Sequence, residues 1–458
     1  MALIKSISGI RGTIGGKPGE NLSPLDIVKF TAAYGSRLTE KDGNKKIIIG
    51  RDGRISGEMV SNLAANTLIA LGFNVIDLGI TTTPTVEIAV INEHAAGGII
   101  LTASHNSKEW NALKLLNSSG EFIDANEGEI ILRLAESENF SFAVVDKLGS
   151  YIKDDYLQKH IDAVTEYELV DIPAIKKRKF KIVVDVINSS GSIYIPALLK
   201  ALGVKEITLL NEEINGKFAH NPEPLPEHLT ELSSEVKRHN ADLGIAVDPD
   251  VDRLCFVCED GSMFGEEYTL VAIADYILSK RKGNTVSNMS STKALKDITK
   301  NHDGEYFPSA VGEVNVVAKM KEVNAVIGGE GNGGIIIPDF HYGRDALIGI
   351  GLFLTHLANS KKSTKQLRGN YPDYFISKNK IALEDNINVK DIFKKIEEKY
   401  KNNPINTEDG LKIEFDNDWV HLRTSNTERI IRIYSESNFE TTAQNIARKL
   451  MKDISEVM

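Results

Sequence analysis

The sequence predicts an α/β protein with three similar mixed-sheet α/β domains followed by a C-terminal α+β domain. Three stretches of the 458 residues carry a strand, helix and strand pattern: 46–79, 180–210 and, in a looser form, 325–357. Their recurrence indicates repeats of one architecture. The end of the chain differs, because it shows successive short strands, at 411–415, 419–422 and 429–434, and then a helix at 441–451.

The first unit shows how each element is assigned. Ile47–Gly50 is a short apolar run typical of a buried strand, and Ser56 is a candidate N-cap for the helix that follows. Apolar residues then recur at helical spacing over 59–71, and Gly72 ends the helix. Asn74–Leu78 resumes an extended apolar segment, so the unit predicts a pair of parallel strands.

The second and third units follow the same logic. In the second unit a strand at 180–185 leads to a helix that Gly203 ends, and a strand follows at 205–210. The third is expected to run from a strand at 325–328 through a glycine-rich loop into a helix at 346–357. The four predicted domains are 1–152, 153–255, 256–366 and 367–458.

Composition and charge limit the classes of function. Hydrophobic residues at 41% and charged residues at 26% are ordinary globular usage. The net charge of −10 offers no general attraction for nucleic acid or an anionic membrane, so neither is expected as a partner. The longest apolar run, 346–354, is too short to span a bilayer, and we expect no signal peptide.

The chain has two cysteines, Cys255 and Cys258, so we expect no disulfide framework and a cytoplasmic location. Their spacing could suit a redox pair or a zinc site. However, they lie in an apolar run that is typical of a strand, and no further zinc ligands follow at suitable spacing. A buried strand is the favoured interpretation.

The first of four polar loops is Thr102–Asn106, which follows the apolar strand Gly97–Leu101. Ser104, with His105 and Asn106 beside it as hydrogen-bonding groups, suits a nucleophile that accepts and returns a phosphoryl group. Taken alone, this segment could equally be a polar turn.

The second loop, Asp248–Arg253, follows the strand Ala241–Val247. Its three carboxylates, at Asp248, Asp250 and Asp252, would repel one another unless a divalent cation lay between them, and hard oxygen ligands favour Mg²⁺. Arg253 adds a cation suited to phosphate. The alternative is an acidic, solvated turn.

The third loop, Gly328–Gly334, formally contains a dinucleotide-binding glycine pattern, but the apolar segment Ile335–Pro338 follows it instead of a helix. Glu330 and Asn332, on a backbone expected to be flexible, are better suited to sugar hydroxyls. A plain turn is the alternative.

The fourth loop, Arg423–Glu428, combines Arg423 with hydroxyl side chains and expected exposed backbone N–H groups, and Arg432 follows it. Such a set forms a phosphate cradle, because arginine binds phosphate in bidentate geometry. A surface turn is the alternative. Two further basic clusters, Ser8–Gly12 and Gly50–Arg54, are weak signals by themselves.

Together, these loops resemble those of the α-D-phosphohexomutase family, in order and spacing, over essentially the whole chain. The resemblance implies four domains around a central cleft, Mg²⁺ as the metal and a hexose 1,6-bisphosphate as the activator. It also implies roles for particular residues: Ser104 as the phosphorylated serine; Asp248, Asp250 and Asp252 as Mg²⁺ ligands; Lys114 as a base; Arg11 and Arg253 as active-site arginines; Glu330 and Asn332 in the sugar loop; and Arg423, Ser425, Asn426 and Thr427 in the phosphate-binding loop. From the residues themselves, we expect His105 at the reacting phosphate, Arg432 at the phosphate cradle and phospho-Ser104 among the Mg²⁺ ligands.

The resemblance implies interconversion of hexose 6-phosphate and hexose 1-phosphate through a phosphoserine and a bisphosphorylated sugar. Asn332 and Gly334 stand where many relatives have Ser and His, and Val314 where a basic residue is common. The loops resemble a branch usually assigned as phosphoglucosamine mutase, with phosphomannomutase and phosphoglucomutase as alternatives. We expect small sugar phosphates as partners and a monomer or homodimer.

A lowered pKa of Lys114, caused by neighbouring cations, is expected to suit this residue to proton transfer. Two other functions remain possible from the sequence. A phosphatase would hydrolyse the phosphoserine, and a sugar-phosphate sensor would bind without turnover.

Overall fold

The computed structural model describes residues 3–6, 9–42, 44–384, 387–425 and 429–458. Within these residues the strands form four sheets, each from a separate stretch of chain. The predicted boundaries at 152, 255 and 366 stay a prediction, and the strands Tyr151–Lys153 and Leu254–Cys258 cross the first two of them.

The first sheet contains parallel and antiparallel strands, in the order β1-β2-β6-β5-β3-β4-β7. The predicted parallel pair is confirmed between β3 and β4. Ser56 occupies the N-cap position of α2, as expected, but its hydroxyl makes no capping hydrogen bond and instead accepts one from the side-chain amide of Asn111 at 3.0 Å. The elements are β1 Leu3–Ser6, β2 Gly9–Thr13, α1 Pro24–Asp42, β3 Lys46–Arg51, α2 Gly57–Ala70, β4 Asn74–Ile80, α3 Thr83–Asn92, β5 Gly97–Leu101, β6 Trp110–Leu116, α4 Ala125–Ser137 and β7 Tyr151–Lys153.

The second sheet has the order β11-β10-β8-β9 and is parallel except for the β10–β11 pair. Cys255 and Cys258 lie buried on β11, so the strand prediction for this segment is confirmed. The elements are α5 Leu157–Glu166, α6 Ile172–Arg178, β8 Lys181–Asp185, α7 Gly191–Ala201, β9 Glu206–Leu210, α8 Thr230–Arg238, β10 Leu243–Val247 and β11 Leu254–Cys258.

The third sheet has the order β13-β12-β14-β15-β16. Here the sequence prediction was wrong in detail, because the glycine-rich loop leads into two antiparallel strands before the helix begins. Its parallel strand–helix–strand unit lies upstream, at β12, α10 and β13. The elements are α9 Glu266–Lys280, β12 Asn284–Asn288, α10 Ala294–Asn301, β13 Tyr306–Ser309, α11 Glu313–Val323, β14 Ala325–Glu330, β15 Gly334–Ile337, β16 His341–Arg344, α12 Ala346–Ser360 and α13 Thr364–Arg368.

The fourth sheet is antiparallel throughout, in the order β17-β21-β20-β19-β18, which confirms the predicted α+β domain. Its strand β17 and helix α14 were not predicted. The elements are β17 Phe375–Ala382, α14 Val389–Lys399, β18 Ile405–Asn406, β19 Leu411–Glu414, β20 Trp419–Thr424, β21 Ile430–Ser437 and α15 Glu440–Val457.

Three predicted site loops leave the carboxyl ends of strands, namely β5, β10 and β14. In open α/β sheets this edge is where ligands bind, because the connecting loops gather there. Among the helices of the described residues, none combines the length and apolarity needed to cross a bilayer.

Candidate active site

Ser104 lies in the short loop after β5 with its backbone in the left-handed region, at φ +48°. Its N–H donates to the hydroxyl of Thr102 at 2.9 Å, which stabilises the turn. The Ser104 hydroxyl is buried and donates to Oδ2 of Asp248 at 2.7 Å. The structure therefore places the predicted nucleophile directly against the predicted metal loop.

A single buried arginine, Arg54, holds this loop in shape. Its Nε pairs with Oδ2 of Asp52 at 2.9 Å, and that same oxygen accepts the hydroxyl of Thr102 at 2.6 Å. The rest of the guanidinium donates to backbone carbonyls of the loop: those of Ser104 at 2.5 Å, Asn106 at 2.7 Å, Ser107 at 2.7 Å and Trp110 at 3.0 Å.

The metal loop brings its three carboxylates together. Asp248, Asp250 and Asp252 are buried, and each offers an oxygen within 4.8 Å of the others. Val251 makes this possible by adopting φ +61°, an unusual conformation for a β-branched residue. Oδ1 of Asp248 accepts the backbone N–H groups of Asp252 at 3.2 Å and Arg253 at 3.1 Å, which closes the loop.

Two of these carboxylates each keep one buried oxygen without a hydrogen-bond partner. Oδ2 of Asp250 accepts from Lys114 at 2.7 Å and Thr83 at 2.6 Å, and Oδ2 of Asp252 accepts from Arg344 at 2.6 Å. The Oδ1 atoms of both aspartates are unpartnered. Because buried carboxylate oxygens are costly to leave without partners, this set fits a divalent cation that prefers oxygen ligands.

The charges of the metal loop also fit a bound divalent cation. Burial and the carboxylates of Asp252 and Asp250 raise the pKa of Asp248 well above its ordinary value. Burial also opposes ionisation of Asp252, but Arg344, Lys114 and Arg253 outweigh it and hold the pKa of Asp252 below its usual range.

Lys114 lies on β6 with its ammonium group inside the acidic cluster, 2.7 Å from Asp250 and 3.6 Å from Asp252. Burial opposes its charge, but these two carboxylates outweigh burial and raise the pKa of Lys114. The expectation of a lowered pKa was therefore wrong for this arrangement, because the sequence did not show that the carboxylates of the metal loop, rather than cations, are its nearest charges.

The predicted arginines lie beside the same loops. Nη1 of Arg11, on β2, donates to the side chain of Asn106 at 3.2 Å. Arg253 donates to Glu223 at 3.3 Å, and its Nε lies 3.9 Å from both Asp248 and Asp252.

His105 has its Nδ1 3.4 Å from the hydroxyl of Ser104. Burial, together with the charges of Arg253 and Arg11, lowers the pKa of His105 well below its ordinary value, which favours the neutral ring. A cavity of about 530 Å³ opens next to it, lined by residues 105–109 and by a facing segment within 218–223.

Glu330 is the last residue of β14 and begins a tight β-hairpin with β15. Its Oε1 accepts from Asn288 at 2.9 Å and from the N–H of Gly312 at 3.2 Å. Its Oε2 accepts from Arg344 at 2.8 Å. Asn332, at the turn, accepts the N–H of Gly334 at 3.1 Å and is half-buried.

The phosphate-binding loop is described in part, because Asn426 and Thr427 lie outside the described residues, as does Ser8 of the first basic cluster. Arg423 on β20 lies directly opposite Arg432 on β21. Like charges facing each other in this way are unfavourable without an anion or other counter-charge.

Arg423 also forms an ion pair with Asp409 at 3.2 Å. The same carboxylate accepts the N–H of Val311 at 2.9 Å, close to the segment that holds Glu330. Ser425 donates its N–H to the carbonyl of Ile430 at 3.1 Å, so this backbone group is not exposed as expected.

Sequence reasoning missed three residues that shape the site. Arg54 was predicted only as part of a weak basic cluster. Thr83 begins helix α3, which was not predicted, and Arg344 ends β16 just before a long apolar helix. Polar residues immediately before an apolar helix were the available signal for Arg344, although nothing in the sequence shows that it reaches Asp252.

Comparison with known proteins identifies relatives along the whole chain. Three family descriptions match in succession: phosphoglucomutase/phosphomannomutase alpha/beta/alpha domain I at 3–142, domain II at 158–261 and domain III at 265–374. The chain is 36% identical over 455 residues to a phosphoglucomutase/phosphomannomutase of Thermococcus kodakarensis, covering 98% of each chain. It is 31% identical over 460 residues to a phosphoglucosamine/phosphogalactosamine mutase of Sulfurisphaera tokodaii, covering 99% of each.

Among solved structures, the chain is similar to a phosphoglucomutase/phosphomannomutase family protein of Burkholderia thailandensis. The TM-score is 0.85 at 25% identity, with 99% of this chain and 97% of the other covered. The three consecutive domain matches and the full-length relatives agree with the four-sheet architecture. The chain therefore belongs to the phosphoglucomutase/phosphomannomutase family of α-D-phosphohexomutases, enzymes of the isomerase class that act as intramolecular phosphotransferases.

Proposed function

We propose that this enzyme interconverts hexose 6-phosphate and hexose 1-phosphate through phospho-Ser104 and a bisphosphorylated sugar. The observation that carries the proposal is the 2.7 Å hydrogen bond between the Ser104 hydroxyl and Asp248, inside a buried cluster of three aspartates. A hydroxyl in this position is suited to carry a phosphoryl group whose charge the site can neutralise.

Asp248, Asp250 and Asp252 would hold Mg²⁺ together with an oxygen of phospho-Ser104. When bound, the metal supplies charge neutralisation for the transferring phosphoryl group. Arg11 and Arg253 flank this position and add positive charge beside it. The neutral ring of His105 can donate one hydrogen bond to phosphate.

Proton transfer from the sugar hydroxyl is assigned to Lys114. Its ammonium group lies 2.7 Å from Asp250 and 3.6 Å from Asp252, and only the neutral amine can accept the proton. A cation bound by Asp250 and Asp252 would compete with Lys114 for their carboxylates. It would therefore weaken the interaction that raises the pKa of Lys114.

The sugar is held at two places away from Ser104. Glu330 and Asn332 offer acceptors and donors for sugar hydroxyls, and Arg423, Ser425, Asn426, Thr427 and Arg432 would bind the phosphate that does not react. After the first transfer, a hexose 1,6-bisphosphate must turn end for end, so that its other phosphate meets Ser104. The same bisphosphate would act as the activator that phosphorylates a resting enzyme.

We propose glucosamine phosphate as the preferred substrate, on the glycine-rich sugar loop and the similarity to the Sulfurisphaera tokodaii mutase. Mannose and glucose phosphates are the second candidates, because the higher identity, 36%, is to a phosphoglucomutase/phosphomannomutase.

The test of the nucleophile is Ser104→Ala. Intact-mass measurement after incubation with glucose 1,6-bisphosphate and Mg²⁺ should show a covalent phosphoryl group on the wild type and none on this variant, with mutase turnover lost. Ser118→Ala, an exposed serine in a turn, is the matched control and should behave as the wild type. Full turnover by Ser104→Ala would reject the assignment.

A substrate panel then distinguishes the sugars. Glucosamine, glucose, mannose and N-acetylglucosamine phosphates are compared by kcat/KM with Mg²⁺ and bisphosphate present. Net release of inorganic phosphate without isomer formation would indicate a phosphatase, and binding without covalent phosphate or turnover would indicate a sensor.

A further inference from the structure

Arg344 is the cation that lies between the metal loop and the sugar hairpin. Its side chain is buried at the end of β16 and contacts three carboxylates. Nη2 donates to Asp252 at 2.6 Å and Nη1 to Glu330 at 2.8 Å, while Nε lies 3.1 Å from Glu313. None of these contacts reaches a solvent-exposed group.

The carboxylates held by Arg344 come from separate elements. Asp252 belongs to the loop between β10 and β11, and Glu330 is the last residue of β14, where the hairpin with β15 begins. A guanidinium is planar and presents its N–H groups in a fixed fork, so it sets the two carboxylates relative to each other. The point charge of a lysine ammonium group would impose no such geometry.

Arg344 occupies one oxygen of each of these two carboxylates, and Asp252 keeps its other oxygen for a cation. Oδ2 of Asp252 is on Arg344, and Oδ1 is unpartnered. Oε2 of Glu330 accepts from Arg344 and, at 3.5 Å, from the amide of Asn332, while its Oε1 accepts from Asn288 and from the N–H of Gly312. Movement of either carboxylate would therefore be transmitted through one anchored side chain to the other.

Gly334 leaves the space that this side chain requires. A Cβ at position 334 would lie 2.2 Å from Cδ of Arg344 and 3.2 Å from Oδ1 of Asn332. The clash falls on the middle of a side chain whose far end is fixed by three carboxylates, so the arginine cannot easily swing away. Glycine is needed here for space.

We propose that Arg344 is a positioning residue that couples the sugar-binding hairpin to the metal loop, so that sugar-phosphate binding and metal binding strengthen each other. This inference rests on the proposed function of the site. The physical reason is shared ordering: a ligand that fixes Glu330 also fixes the guanidinium, which fixes Asp252 for the cation. Linkage requires that the effect be reciprocal.

The experiment measures metal affinity with and without a sugar phosphate, using the full chain. Mn²⁺ binding is followed by electron paramagnetic resonance, with glucose 1-phosphate at saturation or absent, and the ratio of the two dissociation constants gives the coupling factor. In the wild type we expect a factor of about 5 or more, typical of coupled sites.

Arg344→Lys keeps the positive charge but loses the planar guanidinium group, so the coupling factor should fall towards one. Circular dichroism should show that this variant is still folded. Gly334→Ala approaches the same side chain from the other side and should lower the factor without any change of charge. Gly369→Ala is the control, because the nearest atoms to its added Cβ would be 3.6 Å away. It should keep the wild-type factor.

A wild-type factor of one would overturn the inference, and so would an undiminished factor in Arg344→Lys. If Arg344→Lys does not fold, the result for Gly334→Ala decides. These readouts do not depend on turnover. If the wild type shows coupling that the variants lose, but its Ser104 is never phosphorylated, the inference is supported and the proposed function is rejected. If Ser104 is phosphorylated but the wild type shows no coupling, the proposed function is supported and the inference is rejected.

Discussion

Ser104 and Val251 both adopt the left-handed backbone region, at φ +48° and +61°. Such conformations cost of order 1–3 kcal/mol each and persist only where surrounding contacts enforce them. At Ser104 the enforcing contacts come from Arg54 and Thr102, and at Val251 they come from the closed loop of Asp248. The strain lies on the two segments whose side chains must meet.

Arg54→Lys is predicted to destabilise the protein by about 2–4 kcal/mol, because lysine cannot satisfy four carbonyls and a carboxylate at once and buried groups lose partners. Phosphorylation of Ser104 should fall with it, since the loop loses its support. Urea unfolding and intact mass measure the two effects.

Arg448→Lys, on the exposed face of α15, is the control for this exchange. It should change the free energy of unfolding by less than about 0.5 kcal/mol. Equal stabilities of the Arg54 and Arg448 variants would contradict the role assigned to Arg54.

At the scale of elements, the site is built from loops at the carboxyl ends of β5, β10 and β14. Helix α3 supports the metal loop. The N–H of Thr83 donates to the carbonyl of Asp250 at 2.9 Å, and the hydroxyl of Thr83 donates to the Asp250 carboxylate. The metal loop is thus held by a neighbouring domain as well as by its own strands.

Mg²⁺ is predicted to stabilise the protein, because it should bind the native carboxylate cluster and not the unfolded chain. At a concentration 100 times its Kd, the gain would be about 2.7 kcal/mol. Thermal unfolding with a Mg²⁺ titration and with a chelator measures it. Asp248→Asn, which removes one carboxylate charge from the cluster, should remove the response.

Asp303→Asn, at an exposed ion pair with Lys282, is the matched control and should keep the Mg²⁺ response. A response of the same size in Asp248→Asn would place the stabilising cation elsewhere on the protein.

At the scale of the whole molecule, the second and third sheets share one hydrophobic core. Phe256 on β11 stacks on Phe353 of α12 with ring centroids 3.7 Å apart, and both belong to one cluster of buried residues. The fourth sheet has a separate cluster that includes Ile433. A fused core predicts cooperative unfolding, whereas separate cores permit independent opening.

Phe353→Ala should cost about 3–5 kcal/mol, by loss of buried area and formation of a cavity. Hydrogen exchange should then rise in both 181–258 and 265–374. Ile433→Ala should raise exchange within 375–457 and leave those two segments unchanged. If the rise in hydrogen exchange in Phe353→Ala were confined to one of these two sheets, the shared core would be contradicted.

Cytoplasmic location, a monomer or homodimer, and the exact domain boundaries stay predictions. So do the absence of nucleic-acid partners and the roles assigned to the individual site residues.

Sequence patterns were enough to predict the α/β class, the first two repeated units and the loops that carry Ser104, the three aspartates and Glu330. These features are local, because apolar periodicity and its polar interruptions involve residues that are close together in the sequence. The C-terminal strands were found for the same reason, although β17 was missed, since its alternation of polar and apolar residues is weak and it pairs with a strand far along the chain.

Which side chains control the site depends on contacts between residues that lie far apart in the chain. Arg54, Thr83 and Arg344 act on residues 50, 167 and 92 positions away, and Lys114 acquires its raised pKa from aspartates of another domain. Folding brings these distant groups into contact in the buried interior. There the dielectric constant is low, so the nearest charged and polar groups have the largest effect on a side chain. The sequence shows which groups are available, and folding decides which of them meet.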